Sequence, residues 1–324
     1  MICKNPFVKN VVAFGCGQCL PCRINKRRLW TNRIMLESLS CEDNAFVTLT
    51  YDNDHLPEGG TLKPQDLKNW QKNLRYHSGI NLRFFSVGEY GDQTKRPHYH
   101  AAVFGFKGCA SLDLKCPCVF CETLRSSWKK GHVLNGTLTK DSASYIAGYV
   151  TKKMTDRNPQ EKYDRLLEKG EYMAADQYKE RVIDELDGRH PEFARMSLKP
   201  GIGAPMIPAI REMLWDEHGN ELMGELGDVP DMIKISGQEV LLGGYLKNKL
   251  RREFLNEDEI QEVKERKMLQ LQKENLQAYW EEKAKRPKKI GRKFTFKDFI
   301  IDKHLQKVRD LEKRYSRKPN KGEL

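Results

Sequence analysis

Arg96-Pro97-His98-Tyr99-His100-Ala101-Ala102-Val103-Phe104-Gly105 sets two histidines around one aromatic residue at the head of an apolar, β-prone run. Side chains on a strand alternate between faces, so His98 and His100 project from the same one. Two neighbouring imidazoles make a poor core and a good pair of metal ligands. They could equally be satisfied or exposed histidines, and the motif alone does not separate the readings. The preceding stretch does. Leu82-Arg83-Phe84-Phe85-Ser86-Val87-Gly88-Glu89 reads as a strand, and Tyr90 to Pro97 is rich in turn formers. The two runs therefore form an antiparallel hairpin with a longish loop. Glu89 ends the first strand as His98 begins the second, so its carboxylate can meet both imidazoles. Two nitrogens and one carboxylate, with positions left open, suit a divalent cation that also binds a phosphate oxygen.

Composition narrows the class. The 324 residues carry a net charge of +12, and 39% are hydrophobic. The mean hydropathy is −0.71 and the isoelectric point is near 9.1. Length allows one large domain or two, and the charge favours a polyanionic partner, most simply nucleic acid. A basic solvated surface is the bland alternative. The opening Met1-Ile2-Cys3-Lys4-Asn5-Pro6-Phe7 has no apolar core with a cleavage site, and no run is long enough to span a membrane. The expectation is an intracellular, reducing setting without a membrane partner. Nine cysteines in that setting read as thiols or metal ligands rather than disulfides.

Cys16-Gly17-Gln18-Cys19-Leu20-Pro21-Cys22 has a C-x2-C-x2-C spacing, with Cys3 as a fourth ligand, and Cys109, Cys116, Cys118 and Cys121 form a second group. Thiolates so spaced can share a tetrahedral zinc, and structural Zn²⁺ is expected in at least one group. An iron–sulfur cluster is the weaker alternative. Arg23 to Glu37 has helical periodicity with a basic side, which could lie along phosphates or simply face solvent. Phe46-Val47-Thr48-Leu49-Thr50-Tyr51 is a strand and Pro64 to Tyr76 a helix. Leu124 to Lys129 reads as a helix and His132 to Thr139 as a strand. These elements make an α+β unit with an antiparallel sheet.

Ala143-Ser144-Tyr145-Ile146-Ala147-Gly148-Tyr149-Val150-Thr151-Lys152-Lys153 follows, with Asp141 as the expected N-cap. Tyr145 and Tyr149 are one turn apart on one helical face, and Lys152 and Lys153 continue that side. Such tyrosines are commonly core or surface aromatics. Adjacent lysines and an upstream metal site make them candidate nucleophiles, since a phenol with a pKa near ~10 needs a cation or base to attack. Thr155 to His190 reads as helices around a linker, Arg195 to Pro205 as a glycine- and proline-rich loop, and Ile210 to Arg252 as a small second unit. Asn256 to Lys285 reads as one long charged helix, started by Asn256 with Glu259 three residues on. Seven of the eleven residues from Lys283 to Lys293 are basic and none is acidic. This tail reads as a nucleic-acid contact by counterion release, with a solubilising tail as the alternative.

Three motifs now stand in order: Phe46 to Tyr51, then Glu89 with His98-Tyr99-His100, then Tyr145 and Tyr149 followed by Val150-Thr151-Lys152-Lys153. Together they resemble the HUH (His-hydrophobe-His) endonucleases that start rolling-circle DNA replication. The two-tyrosine helix is similar to that of Microviridae replication initiators. Cys16 to Arg23 and the loop from Met196 to Ala204 narrow the resemblance to the gokushovirus branch. The Cys109 to Cys121 group is not part of the matched pattern.

The resemblance implies a sheet of about five strands carrying the histidine pair, flanked by helices, with an N-terminal cysteine knuckle and a mainly helical C-terminal extension. It implies Mg²⁺ or Mn²⁺ at Glu89, His98 and His100, and nicking of an origin by Tyr145 or Tyr149 with help from Lys152 or Lys153. The nick leaves a 5′-phosphotyrosine and a 3′-OH primer, and the displaced strand is rejoined as a circle. Expected partners are phage origin DNA, a host helicase and DNA polymerase, and a procapsid, in the cytoplasm of a bacterial host. The expected parts are a cysteine-rich segment and basic helix (1–40), the nicking domain (41–156), a charged linker and accessory unit (157–255), and a long helix with a basic tail (256–324). A two-tyrosine transposase or plasmid initiator shares this chemistry. A non-catalytic, zinc-containing single-strand DNA-binding or packaging protein would explain the charge and cysteines, but not the histidines and paired tyrosines together.

Overall fold

The computed structural model describes residues 3, 5–9, 12–91, 93–152, 159–180, 187–215, 223–285 and 294–316. In chain order its elements are β1 (Phe7–Lys9), β2 (Val12–Phe14), α1 (Leu20–Leu39), β3 (Asn44–Tyr51), α2 (Pro64–Ser78), β4 (Arg83–Tyr90), β5 (Pro97–Phe104), α3 (Val119–Trp128), β6 (Gly131–Thr137) and α4 (Lys140–Lys152). They continue as α5 (Pro159–Glu168), α6 (Tyr172–Tyr178), β7 (Phe193–Met196), α7 (Ile207–Glu212), β8 (Met232–Ile235), β9 (Gln238–Leu241), α8 (Gly243–Phe254), α9 (Glu257–Lys285) and α10 (Phe296–Ser316). The chain divides into two compact units, residues 27–208 and residues 1–26 with 209–324.

The unit of residues 27–208 is α+β. Its five strands run in the order β6-β3-β5-β4-β7, and every pair is antiparallel. Alternation along the strands divides the side chains between two cores. Ala45, Val47, Leu49, Tyr51, Tyr99, Ala101 and Val103 face α2 and α3, where Leu67, Trp70, Leu74, Leu124 and Trp128 meet them. Phe85, Val87, Ala102 and Phe104 face the other way, onto Ile34 of α1 and Ala143, Ile146, Ala147 and Val150 of α4. Leu67, Trp70 and Leu74 recur at helical spacing and are almost wholly buried. Each such burial contributes about 1.5–3 kcal/mol. Pro64 opens α2, and Gly79, at φ 67°, closes it by donating its N–H to the Arg75 carbonyl.

Several boundaries differ from the sequence expectation. The fifth strand, β7, includes Arg195 and Met196, which read as the start of a loop. Its partners, from Phe85 to Gly88, lie more than 100 residues away, so no local pattern announces the pairing. The rest of that loop is latched by buried Glu37, which accepts from the Arg83 guanidinium and, at 2.6 Å, from the Gly203 N–H. α3 begins at Val119 rather than Leu124, with Cys118 at its N-cap. The cap of α4 is Thr139, not Asp141. Thr139 Oγ1 accepts the Ser142 N–H at 3.2 Å, while Ser142 Oγ accepts the Thr139 N–H at 2.8 Å. That reciprocal pair satisfies two backbone donors at once and leaves Asp141 in the first turn. α5 and α6 are helices as expected; residues 153–158 and 181–186 of the intervening stretch lie outside the described residues.

In the other unit, β1–β2 and β8–β9 are short hairpins. α9 opens with the expected box: Asn256 Oδ1 accepts from the Glu259 N–H at 2.9 Å, and Glu259 Oε2 accepts from the Asn256 N–H at 2.8 Å. Part of the stretch read as a tail is a further helix, α10. Its Phe299 and Ile300 pack with Tyr279 of α9 and with Val8 and Ala13 of the first hairpin. The most basic stretch, 286–293, and residues 317–324 lie outside the described residues. No described helix is long and apolar enough to cross a membrane.

Candidate metal and nucleophile centre

The β4–β5 register sets Glu89 directly opposite His98, and the β3–β5 register sets Thr48 opposite His100. Glu89, His98, His100 and Thr48 thus share the sheet face that carries α4. Tyr99, between the histidines, points to the opposite face and is fully buried. Its hydroxyl donates to the Lys63 carbonyl at 3.0 Å and pairs with the Tyr51 hydroxyl at 2.8 Å. The residue between the histidines is therefore an anchor: burying Tyr99 fixes β5 and so fixes both imidazoles.

Glu89 is 2% exposed, at the floor of the centre. Its Oε1 lies 2.7 Å from His98 Nε2 and 2.9 Å from His100 Nε2. The outer nitrogens are held too. His98 Nδ1 lies 3.1 Å from the Arg96 carbonyl, and His100 Nδ1 lies 2.8 Å from Thr48 Oγ1. Such contacts set ring orientation and leave each Nε2 aimed inward. Phe46 stacks on the His100 ring at 5.5 Å. Thr48 belongs to the centre although the sequence reading left it in a strand; its place two residues from Phe46 on an alternating run was the available signal.

The electrostatics follow from burial opposed by hydrogen bonding. Desolvation alone would raise the Glu89 carboxyl, but bonds from His100 and His98 outweigh it and hold it at about 2. Burial would lower His98, yet its bonds to Glu89 and to the Arg96 carbonyl raise it above the ordinary histidine value. Without a cation the centre thus stores a carboxylate against a protonated ring. Glu89 Oε2 is buried and has no hydrogen-bond partner, while Oε1 takes three donors. One ligand atom from each of Glu89, His98 and His100 lies within 4.8 Å of the others. A buried, unpartnered carboxylate oxygen beside two inward-facing imidazole nitrogens fits a divalent cation.

α4 brings both tyrosines to this centre. Ala143, Ile146, Ala147 and Val150 bury one stripe of the helix and fix its rotation. Tyr145 then stands at the edge of that stripe, its ring 5.2 Å from His100 and its hydroxyl donating to Glu89 Oε1 at 2.9 Å. The Tyr149 hydroxyl donates to the Tyr145 oxygen, also at 2.9 Å. The two phenols form a chain ending on the carboxylate. Lys152 is the last residue of α4; its side chain and all of Lys153 lie outside the described residues. Arg27 of α1 donates to Ser144 Oγ at 2.9 Å, one residue before Tyr145. The sequence placed Arg27 on a basic helix face without linking it to the tyrosines, because the contact spans 117 residues.

The N-terminal thiols also converge. The sulfurs of Cys3, Cys16, Cys19 and Cys22 lie within 4.8 Å of one another, and Cys3 Sγ is 3.7 Å from Cys19 Sγ. The Cys16 N–H donates to Cys3 Sγ at 3.2 Å. A Cβ at Gly15 would stand 3.0 Å from Cys22 Sγ, so a larger residue would crowd the set. The second group, Cys109, Cys116, Cys118 and Cys121, converges within the same limit.

Residues 44–154 match the family model of the ORF2-type replication-associated protein. The chain is 36% identical over 162 residues to replication-associated protein VP4 of Bdellovibrio phage phiMH2K, covering 46% of this chain and 51% of that protein. It is 34% identical over 154 residues to replication-associated protein ORF4 of Chlamydia phage 1, covering 43% and 38%. It is 31% identical over 172 residues to replication-associated protein ORF2 of Spiroplasma virus 4, covering 47% and 51%. The chain thus spans about half or less of the length of these relatives. No solved structure matches it. The resemblance read from the motifs and these comparisons agree: this chain is similar to replication-associated proteins of Microviridae-like phages.

Proposed function

We propose that this chain is an HUH-type replication initiator that nicks and rejoins DNA through Tyr145 and Tyr149. The observation that carries the reading is the hydrogen-bond chain from Tyr149 through Tyr145 to Glu89, which ends beside two inward-facing imidazoles. Structural tyrosines do not require a buried carboxylate and two histidines at the end of their hydroxyls. The substrate is the origin of the phage replicative form, entering single-stranded or melted.

Glu89, His98 and His100 hold Mg²⁺ or Mn²⁺, which when bound neutralises charge on the phosphate oxygens. The chain's own residues do the rest. Glu89 orients the Tyr145 hydroxyl, and because its carboxyl sits at about 2 it stays charged and acts as an acceptor rather than a proton store at neutral pH. The tyrosine oxygen bonds to phosphorus and the bond to the 3′ oxygen breaks. That oxygen takes up a proton as the phenol loses one, leaving a 5′-phosphotyrosine and a 3′-hydroxyl primer. The ester keeps the energy of the phosphodiester, so the second tyrosine can cut the regenerated origin and the new 3′-hydroxyl can close the circle without ATP. Lys152 or Lys153 steadies the charge that develops on the reacting oxygens. Arg27, beside Ser144, is a further cation for the incoming strand.

The N-terminal set of Cys3, Cys16, Cys19 and Cys22 holds structural Zn²⁺. Its 3.7 Å Cys3–Cys19 separation is close to the edge of a tetrahedron with bonds of about 2.3 Å. A host helicase opens the duplex, a host polymerase extends the primer, and a procapsid receives the product strand, all in the bacterial cytoplasm.

The test is a denaturing gel with labelled origin strand, in Mn²⁺ or in EDTA, for the wild type and a Tyr145→Phe/Tyr149→Phe variant. A metal-dependent covalent adduct that the variant lacks is expected. An adduct persisting in the double variant overturns the assignment. Folded wild type that binds origin strands without forming an adduct favours a non-catalytic, zinc-containing DNA-binding or packaging protein.

A further inference from the structure

The second cysteine group lies apart from the motifs that carry the resemblance and from the reaction centre. Cys109, Cys116, Cys118 and Cys121 have the spacing C-x6-C-x-C-x2-C within one short stretch between β5 and the first turn of α3. All four are free thiols. Their sulfurs lie within 4.8 Å of one another, with Cys109 Sγ 3.7 Å from Cys116 Sγ. That distance rules out a bonded pair, which needs about 2.05 Å. It matches the roughly 3.8 Å between sulfurs on a tetrahedral zinc with bonds of about 2.3 Å.

The surroundings hold the ligands in place as a metal site requires. Ser111 Oγ is 3.1 Å from Cys109 Sγ, and Asn135 Nδ2 donates to Cys121 Sγ at 3.7 Å. Arg125 of α3 reaches back to the carbonyls of Leu114 and Cys116 at 3.1 and 2.8 Å. Cys118 caps α3, and Phe106 packs edge-on against Phe120.

This loop also covers something. β6 is an edge strand of the five-stranded sheet. The Lys107 carbonyl accepts from Asn135 of β6 at 3.3 Å. A Cβ at Gly108 would stand 2.5 Å from the Gly136 carbonyl oxygen, and one at Gly136 would meet Leu112 at 3.1 Å. An uncovered edge is a template for pairing with another chain. The loop has no regular secondary structure of its own between Phe104 and Val119, so its shape depends on whatever ties its four thiols together.

We propose that Cys109, Cys116, Cys118 and Cys121 bind one Zn²⁺ as a closed four-thiolate site. The ion folds residues 105–118 over the edge of the sheet and fixes the start of α3. With all four positions taken by protein the site has no open coordination for a substrate, so its role is structural. It is separate from the exchangeable cation of Glu89, His98 and His100, and it stands whether or not the chain nicks DNA.

The experiment uses the full chain, purified without chelator. Zinc per chain is measured by mass spectrometry, and native alkylation with iodoacetamide is mapped by peptide mass, with and without a strong zinc chelator. Cys41, half-buried and outside both groups, reports general access. The expected result is at least one zinc per chain, with Cys109, Cys116, Cys118 and Cys121 protected until chelator is added. A Cys118→Ser/Cys121→Ser variant should lose one zinc per chain relative to the wild type. Equal labelling of the four cysteines with and without chelator overturns the proposal, as does a folded variant that keeps the wild-type zinc content. If the variant does not fold, the wild-type labelling alone decides.

Discussion

Replacing one tyrosine at a time separates two phenols that sequence treats as equivalent. Tyr145 Oη is 2.9 Å from Glu89 Oε1, whereas Tyr149 Oη is 2.9 Å from Tyr145 Oη. The second oxygen stands one hydrogen bond further along the chain from the carboxylate. A displacement of ~1 Å in a reacting group can cost about 100-fold in rate. A displacement of a whole hydrogen-bond length, roughly 3 Å, should therefore cost at least that much. Tyr145→Phe is expected to slow the first cleavage by about 100-fold or more, because only Tyr149 remains and it must move to reach the centre. Tyr149→Phe removes a donor from Tyr145 but leaves the nearer nucleophile, so first cleavage should stay within a few-fold of wild type. Circle closure should fail in both. The assay is single-turnover adduct formation on a labelled origin strand in Mn²⁺, with the linked residue identified by peptide mass mapping. Equal first-cleavage rates for the two variants, or a slower Tyr149→Phe, would refute the argument from position while leaving the nicking reading intact. Loss of the wild-type adduct itself would remove the premise.

Thr48→Val removes the hydroxyl on His100 Nδ1 while preserving strand shape. Mn²⁺ affinity by calorimetric titration should fall 10- to 100-fold, and unchanged affinity would show that His100 is oriented without it. Asp228 sits fully buried against Arg251 at 2.7 Å, Lys247 at 2.8 Å and Lys267 at 3.0 Å. Asp228→Ala would strand those cations and cost about 3–5 kcal/mol, read by urea melts. Burial tends to raise the Asp228 carboxyl, but bonds from Arg251, Lys247 and Lys267 hold it below the ordinary value of 3.8. The unfolded chain therefore takes up this proton first as pH falls. The stability that Asp228 contributes is present above the ordinary carboxylate range and is lost below it. An Asp228→Asn variant should show a shallower acid limb, and superimposable limbs would refute the account.

The reaction centre and the cysteine loop illustrate two uses of one sheet. On the face toward α4, the register of β3, β4 and β5 gathers polar groups that would be costly to bury singly. Glu89, His98, His100 and Thr48 satisfy one another there, with one carboxylate oxygen left over. On the opposite face the same strands carry Val47, Tyr99 and Val133 into an apolar core. That core holds the register, since a slip of one residue would turn Tyr99 outward and the histidines inward.

Much of this was legible from local chemistry. The alternation around His98 and His100, the turn formers after Glu89 and the one-turn spacing of Tyr145 and Tyr149 are short-range signals. Backbone geometry converts them directly into shared faces. The box at Asn256 and Glu259 was equally local. What sequence could not supply depends on partners far apart in the chain. The fifth strand exists because Phe193 to Met196 find β4. Arg27 meets the tyrosine helix because Ile34 and α4 share one core. Thr48 becomes part of the centre through a cross-strand register, and Tyr145 ranks ahead of Tyr149 through the rotation that four buried residues impose on α4. Sequence by itself determined which groups can bind a cation and attack phosphorus, because that is set by residue type and by periods of two and 3.6 residues. Which of them meet, and in what order they stand from the carboxylate, was decided only by the tertiary structure, because those distances are fixed by packing across elements that no local pattern connects.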